Sequence, residues 1–157
     1  MLGVDHVGLA VPDLDVAIRF QVETFGLVVQ HREVNLDQGV AEAMLGPSGA
    51  DLRSTQVQLV APLDDRSPLR RFLDRSGPGL QHLAYRVADL EAATTHLRRR
   101  GRRLLYDRAQ AGTRGSRINF VHPKDAGGVL VELVEPAAVA EEPALGGEAG
   151  WGTTARN

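Results

Sequence analysis

The chain has 157 residues, enough for one domain with its own core, and its net charge of −2 gives no general attraction for nucleic acid. It contains no Cys, which excludes disulfides, thiolate metal sites and a cysteine nucleophile. No apolar run reaches the ~18 residues of a membrane-spanning helix. No basic segment leads into a long apolar run at the start, so a cytoplasmic protein is expected.

Residues 3–11, GVDHVGLAV, alternate as a strand does. Asp5, Val7, Leu9 and Val11 share one face, and Val4, His6, Gly8 and Ala10 share the other. The larger apolar face is expected to pack on a helix, while the small neighbours of His6 suit the floor of a cleft. Asp13 then caps a helix whose stripe is Leu14, Ile18, Val22 and Phe25 and whose stop is Gly26. Strands are predicted near 27–33, 39–45 and 55–61, with GPSG at 46–49 as a turn. The segment 63–79 joins this unit to a second one and carries a short helix from Pro68 to Asp74.

The pattern then repeats. HVGLAVPDLDVA begins at His6 and HLAYRVADLEAA at His82, 82 − 6 = 76 positions later. Asp89 caps a second helix with the stripe Leu90, Ala93 and Leu97, stopped by Gly101. Strands are predicted near 103–107, 116–122 and 128–135, separated by AGTRG at 111–115 and KDAGG at 124–128. The fold class is α+β, two tandem β-α-β-β-β modules. One domain spans 1–137, with module one at 3–62, the linker at 63–79 and module two at 80–137. The stretch 138–157, rich in Ala, Gly and Glu, is expected to be a disordered tail with Trp151 idle in it.

Each module carries two polar residues where a strand should be apolar. TQVQLVAPL holds Gln58, and GVLVELVEP holds Glu132, 132 − 58 = 74 positions on. A lone His on a strand is most often a satisfied core residue, but four such residues at matching repeat positions point to one shared site. A carboxylate inside VLVELV is costly unless it is paired or bound to metal. Two imidazoles, a carboxylate and an amide oxygen suit a divalent ion: Co²⁺, Mn²⁺, Ni²⁺, Mg²⁺ or Zn²⁺. Glu42, in the apolar strand VAEAML, is a candidate base. His31 and His96 read as surface residues, His122 and Asn119 as loop-orienting ones, and RRRGRR at 98–103 as a solvated helix end.

The doubled pattern with these ligand positions resembles the vicinal-oxygen-chelate superfamily over about residues 4–136. Within it the chain is most similar to the methylmalonyl-CoA epimerase family, on DHVGLAVPDLDVA, VETFGL, HREVNLDQGVAEAML, TQVQLVAPL, GLQHLAYRVADLEAA, RINFVHPK and GVLVELVE. The resemblance implies a metal held in a shared cleft by His6, Gln58, His82 and Glu132, with Co²⁺ first among the ions. It implies Glu42 and Glu132 as catalytic residues, the second also serving as a ligand. The implied activity interconverts (2R)- and (2S)-methylmalonyl-CoA by proton removal and return at C2 through a metal-stabilised enolate. The implied partners are the acyl-CoA substrate and a second copy of the chain in a homodimer. The alternatives are a glyoxalase I-type isomerase, which Gln58 opposes, and a non-catalytic small-molecule-binding protein of the same fold. Coenzyme A contacts stay open, with Lys124 as a guess.

Overall fold

A computed structural model describes residues 1–51 and 54–138. In chain order the elements are β1 (Gly3–Ala10), α1 (Leu14–Phe25), β2 (Val28–Asn35), β3 (Val40–Gly46), β4 (Gln56–Pro62), α2 (Pro68–Ser76), β5 (Gly79–Arg86), α3 (Leu90–Arg99), β6 (Gln110–Ala111), β7 (Arg117–Val121) and β8 (Leu130–Glu135). The predicted tail beyond Ala138, Trp151 included, lies outside the described residues.

The strands form one mixed sheet in the order β2-β3-β4-β1-β5-β8-β7-β6. β1 runs parallel to β4, and β5 parallel to β8, as a helical crossover requires. The two modules join through the antiparallel pair β1/β5, so equivalent strands of each repeat lie side by side at the centre.

Alternation divides each strand between the sheet's two faces. Ala43, Leu45, Leu59 and Ala61 are buried with Leu14 of α1, while Val121 and Leu133 are buried with Leu90 of α3. Each large side chain buried there stabilises the fold by about 1.5–3 kcal/mol. The other face carries Ala10, Val40 and Val60 under Leu69 of α2, then Ala84, Ile118 and Val134 beside Phe120.

Local signals set the helix ends. Asp13 accepts from Val16 N and Asp89 from Ala92 N, each capping the adjoining helix. Gly26 ends α1 in the left-handed conformation at φ 67°. The predicted α1 stripe is only half right. Leu14 is buried and Ala17 and Ile18 pack below it, but Val22 is 40% and Phe25 62% exposed. Leu27, beyond the Gly26 turn, packs against that core instead, and Phe25 packs edge-on to Phe20.

The strand predicted at 103–107 does not form. Leu104 makes one isolated bridge to Val121, and the short strand lies instead at Gln110–Ala111, overlapping the first residue of the segment read as a turn. The cause is Asn119, which is 1% exposed. Its Oδ1 accepts from Tyr106 N at 3.3 Å and its Nδ2 donates to Tyr106 O at 2.9 Å, replacing the strand ladder there with a side chain.

Candidate metal centre and acid–base site

His6 on β1 and His82 on β5 come from opposite modules and meet over the centre of the sheet. Their Nε2 atoms lie 3.0 Å apart. Glu132 Oε2 on β8 is 3.1 Å from the first and 3.2 Å from the second. Two donors at right angles on an ion ~2.1 Å away lie ~3.0 Å apart, whereas a tetrahedral pair lies ~3.4 Å apart. The triangle therefore has the dimensions of one face of an octahedron.

Gln58 supplies a further acceptor. Its Nε2 donates to Glu42 Oε2 at 2.9 Å and to Thr113 Oγ at 3.2 Å. Its Oε1 is buried with no donor among the described residues. An orphaned buried carbonyl oxygen is costly unless something positive meets it, and a hard divalent cation does. The donor set on this structure thus fits a divalent ion.

Backbone irregularities aim the two rings. The β1/β5 register slips between Val4 and His6, leaving Asp5 as an extra residue, and between Gly8 and Leu9, leaving Gln81 as one. Each extra residue directly precedes one of the two histidines. Asp5, expected on the opposite face, instead holds His6 Nδ1 at 2.9 Å through Oδ1. Its Oδ2 accepts from Arg86 Nε at 2.7 Å. Gln81 Oε1 accepts from His82 Nδ1. Both rings are thereby held with Nδ1 protonated and Nε2 turned toward the centre. Burial of Asp5 favours its neutral form, yet His6 and Arg86 outweigh this and keep it below its usual range. Burial likewise opposes charge on His6, but its bonds to Asp5 and Glu132 raise it to about 9. Glu132 is lowered to about 2 against its burial by the two imidazoles.

Glu42 is 4% exposed on β3. Thr113 Oγ donates to its Oε1 at 2.7 Å. Burial raises its pKa; Thr113 opposes this, and Glu33 and Glu132 add to it, for a value of about 7. Glu33 is its cross-strand partner on β2. A cleft of about 300 Å³ brings Glu42, Gln58, His82 and Glu132 together with Tyr106 and Phe120.

Of the five residues singled out in the sequence, Glu42, Gln58, His82 and Glu132 line one cleft, and His6 adjoins them through His82 and Glu132. Others went unrecognised. Asp5 and Gln81 obey the same spacing as the histidines, 81 − 5 = 76, and that signal was available. Thr113 sits in a turn and carried no signal. His31, read as a surface residue, is half-buried and pairs with Glu33. His96 and Lys124 are exposed, and His122 Nδ1 accepts from Lys124 N at 3.1 Å, orienting its loop as expected.

Residues 5–120 match the Glyoxalase/Bleomycin resistance protein/Dioxygenase superfamily. A crystal structure of methylmalonyl-CoA epimerase from Mycobacterium tuberculosis is 55% identical, with a TM-score of 0.81 over 87% of this chain and 89% of that one. The chain belongs to the methylmalonyl-CoA epimerase family. The family's ethylmalonyl-CoA/methylmalonyl-CoA epimerase from Cereibacter sphaeroides is 35% identical over 85% of this chain and 98% of its own. A methylmalonyl-CoA epimerase in complex with methylmalonyl-CoA and NH4+ is 43% identical, with a TM-score of 0.83 over 88% of this chain and 97% of that one. The fold is therefore the vicinal-oxygen-chelate fold that the family shares. Among the described residues, no helix is long and apolar enough to cross a membrane.

Proposed function

We propose that this chain interconverts (2R)- and (2S)-methylmalonyl-CoA by removing the C2 proton and returning it to the opposite face. It is an isomerase of the racemase and epimerase class. The observation that carries this reading is Glu42, a buried carboxylate poised near neutrality in the same cleft as the ligand triangle. His6, Gln58, His82 and Glu132 would hold a divalent ion, with Co²⁺ the first candidate. When bound, such an ion supplies Lewis-acid stabilisation of the negative charge that develops when the C2 proton leaves.

Glu42 takes the proton from one face of C2. Thr113 Oγ and Gln58 Nε2 each donate to its carboxylate and fix its direction. These bonds also favour its ionised form, and burial works against them. The balance leaves a base that binds and releases a proton near pH 7. Glu132, from the other module, serves the opposite face. Two imidazoles draw on its carboxylate, so it is the weaker base. Proton removal on its side therefore has the smaller driving force.

The cleft is small, so it takes the acyl end of the substrate and leaves the nucleotide outside. Two copies are proposed to pair, consistent with the apolar surface that α1 exposes at Val16, Phe20 and Phe25. A monomeric mass by light scattering at working concentration would overturn the pairing.

The test of function is deuterium uptake at C2 of methylmalonyl-CoA in D₂O, read by mass spectrometry with metal-stripped and Co²⁺-restored protein. Rapid exchange that depends on the ion is expected. Absence of exchange with the ion bound, with conversion of the methylglyoxal–glutathione adduct instead, would replace this reading by the glyoxalase one.

A further inference from the structure

On the reading above, an inversion that starts at Glu42 leaves the site reversed. Glu42 ends with the proton it took, and Glu132 ends without the one it gave. Before the same direction can run again, Glu42 must lose a proton to solvent. Its own access to water is poor. It is 4% exposed, and the acyl end of the substrate occupies the cleft that it lines. Its side-chain partners among the described residues are Thr113, Gln58 and Glu33. The Gln58 amide does not pass a proton on at neutral pH, and Thr113 leads only back to Gln58. Glu33 leads outward.

Glu33 lies opposite Glu42 across the β2/β3 pair, and the two carboxyl groups share a hydrogen bond. Two ionised carboxylates cannot bond to each other, whereas a carboxyl and a carboxylate can, so the pair suits the passage of one proton. Glu33 Oε2 is also bonded to His31 Nε2, and it accepts from Arg114 N at 3.3 Å. The β2/β3 register slips between Val29 and His31, leaving Gln30 as an extra residue. Beyond that slip His31 stands opposite Met44 and Glu33 opposite Glu42, two residues apart and so on one face. The side chains of His31 and Glu33 are 30% and 28% exposed, and neither residue lines the cleft. A buried carboxyl, a half-buried carboxyl and a half-buried imidazole thus run in contact from the reaction centre to water outside the cleft.

We propose that Glu33 and His31 form the proton exit of Glu42, carrying the proton taken from C2 to solvent while the cleft is occupied. The inference rests on the epimerase reading and adds to it two relay residues, which act through Glu42 rather than on the substrate. The proton on Glu42 passes to the Glu33 carboxylate, breaking one O–H bond and forming another. Glu33 then passes a proton to Nε2 of the neutral His31 ring. The charged ring gives one up to water, and exchange with water restores its original tautomer. One proton leaves Glu42, one reaches solvent, and Glu33 ends as it began.

The test follows each epimer of methylmalonyl-CoA separately in D₂O with the metal-loaded protein, at early conversion and against a protein-free control. Chromatographic separation and mass spectrometry read two fates: inversion, and deuterium gained by the recovered starting epimer. The second fate requires the removing base to exchange its proton with solvent before returning it. In Glu33→Gln the side chain can still accept from Arg114 N but cannot pass a proton. The ratio of exchange to inversion is expected to fall at least tenfold for the epimer that Glu42 deprotonates, and to stay within twofold for the other. A general loss of activity cancels in this ratio, so a merely structural role would not move it. His31→Ala should lower the same ratio, and it also serves if the Gln variant does not fold. Added imidazole should restore the ratio in His31→Ala but not in Glu33→Gln, with the bound ion assayed in each sample. An unchanged ratio in both variants, or an equal fall for both epimers, would overturn the proposal while leaving the epimerase reading in place. Absence of both inversion and exchange in the unsubstituted protein would overturn that reading itself, and the relay with it.

Discussion

Gly8 lies on β1 directly opposite His82, and the imidazole occupies the space a side chain would fill. A Cβ at this position would be 2.5 Å from His82 Nε2 and closer still to two other ring atoms. Ordinary contact between heavy atoms needs about 3.5 Å, so the ring in Gly8→Ala must retreat by roughly 1 Å or swing away. Metal–ligand distances tolerate only about 0.2 Å, so the variant loses His82 as a ligand. We expect metal affinity to fall about 100-fold or more, beyond the 10–100-fold typical of losing an outer-shell partner. Gly8 does not have a positive φ, so alanine strains nothing in the backbone, and the overpacking cost stays at about 1–3 kcal/mol. Calorimetric titration with Co²⁺, alongside a thermal melt, separates the two effects. His82→Ala provides the cross-check: if Gly8 acts through the ring, the double variant loses no more affinity than His82→Ala alone. Wild-type metal affinity in folded Gly8→Ala would refute the reasoning.

The remaining predictions concern protonation and support. Glu42 must be ionised to act as a base, and its pKa is raised to about 7, so C2 exchange should climb with pH to about 7 and then level. A flat profile across neutrality would contradict this, and Glu42→Gln should keep the ion while exchange falls about 10²–10⁴-fold. In ion-free protein His6 holds a proton up to about 9, because Asp5 and Glu132 outweigh its burial. An incoming ion must displace that proton, so apparent metal affinity should rise with pH, by up to about tenfold per unit below that value; calorimetry in buffers of different ionisation heat counts the protons released. Asp5→Asn removes much of this support and should weaken metal binding about 10–100-fold, which equilibrium dialysis would detect. Asn119→Ala removes both side-chain bonds to the Tyr106 backbone and empties a buried site, and should cost about 1–3 kcal/mol in urea unfolding.

The parts of this molecule that depend on periodicity could be read from its sequence. His6, Gln58, His82 and Glu132 stand out because each interrupts an apolar strand at a repeated position, and the ends of the helices stand out because Asp13, Gly26 and Asp89 have local cap chemistry. What could not be read depends on exceptions to the period. A bulge breaks the strict alternation that assigned Asp5 to the far face, and strand periodicity has no term for an extra residue. Asn119 defeats the strand predicted at 103–107 by a contact thirteen residues away, Tyr106 to Asn119, which no local propensity records. Thr113 reaches Glu42 across 71 positions, from a turn whose composition speaks only of turning.

The central pairing of β1 with β5 also sets an order of assembly. The hairpins β2-β3 and β3-β4 close over short distances, whereas the contact of His6 with His82 spans 76 positions. Closing that span costs more chain entropy than the local hairpins and is repaid only by non-local contacts. The ligand triangle is therefore completed late, after each module has formed its own strands. A bound ion stabilises only the finished arrangement and contributes little to the transition state that precedes it. Its main kinetic effect is accordingly to slow the opening of the native protein, leaving the rate of folding nearly unchanged.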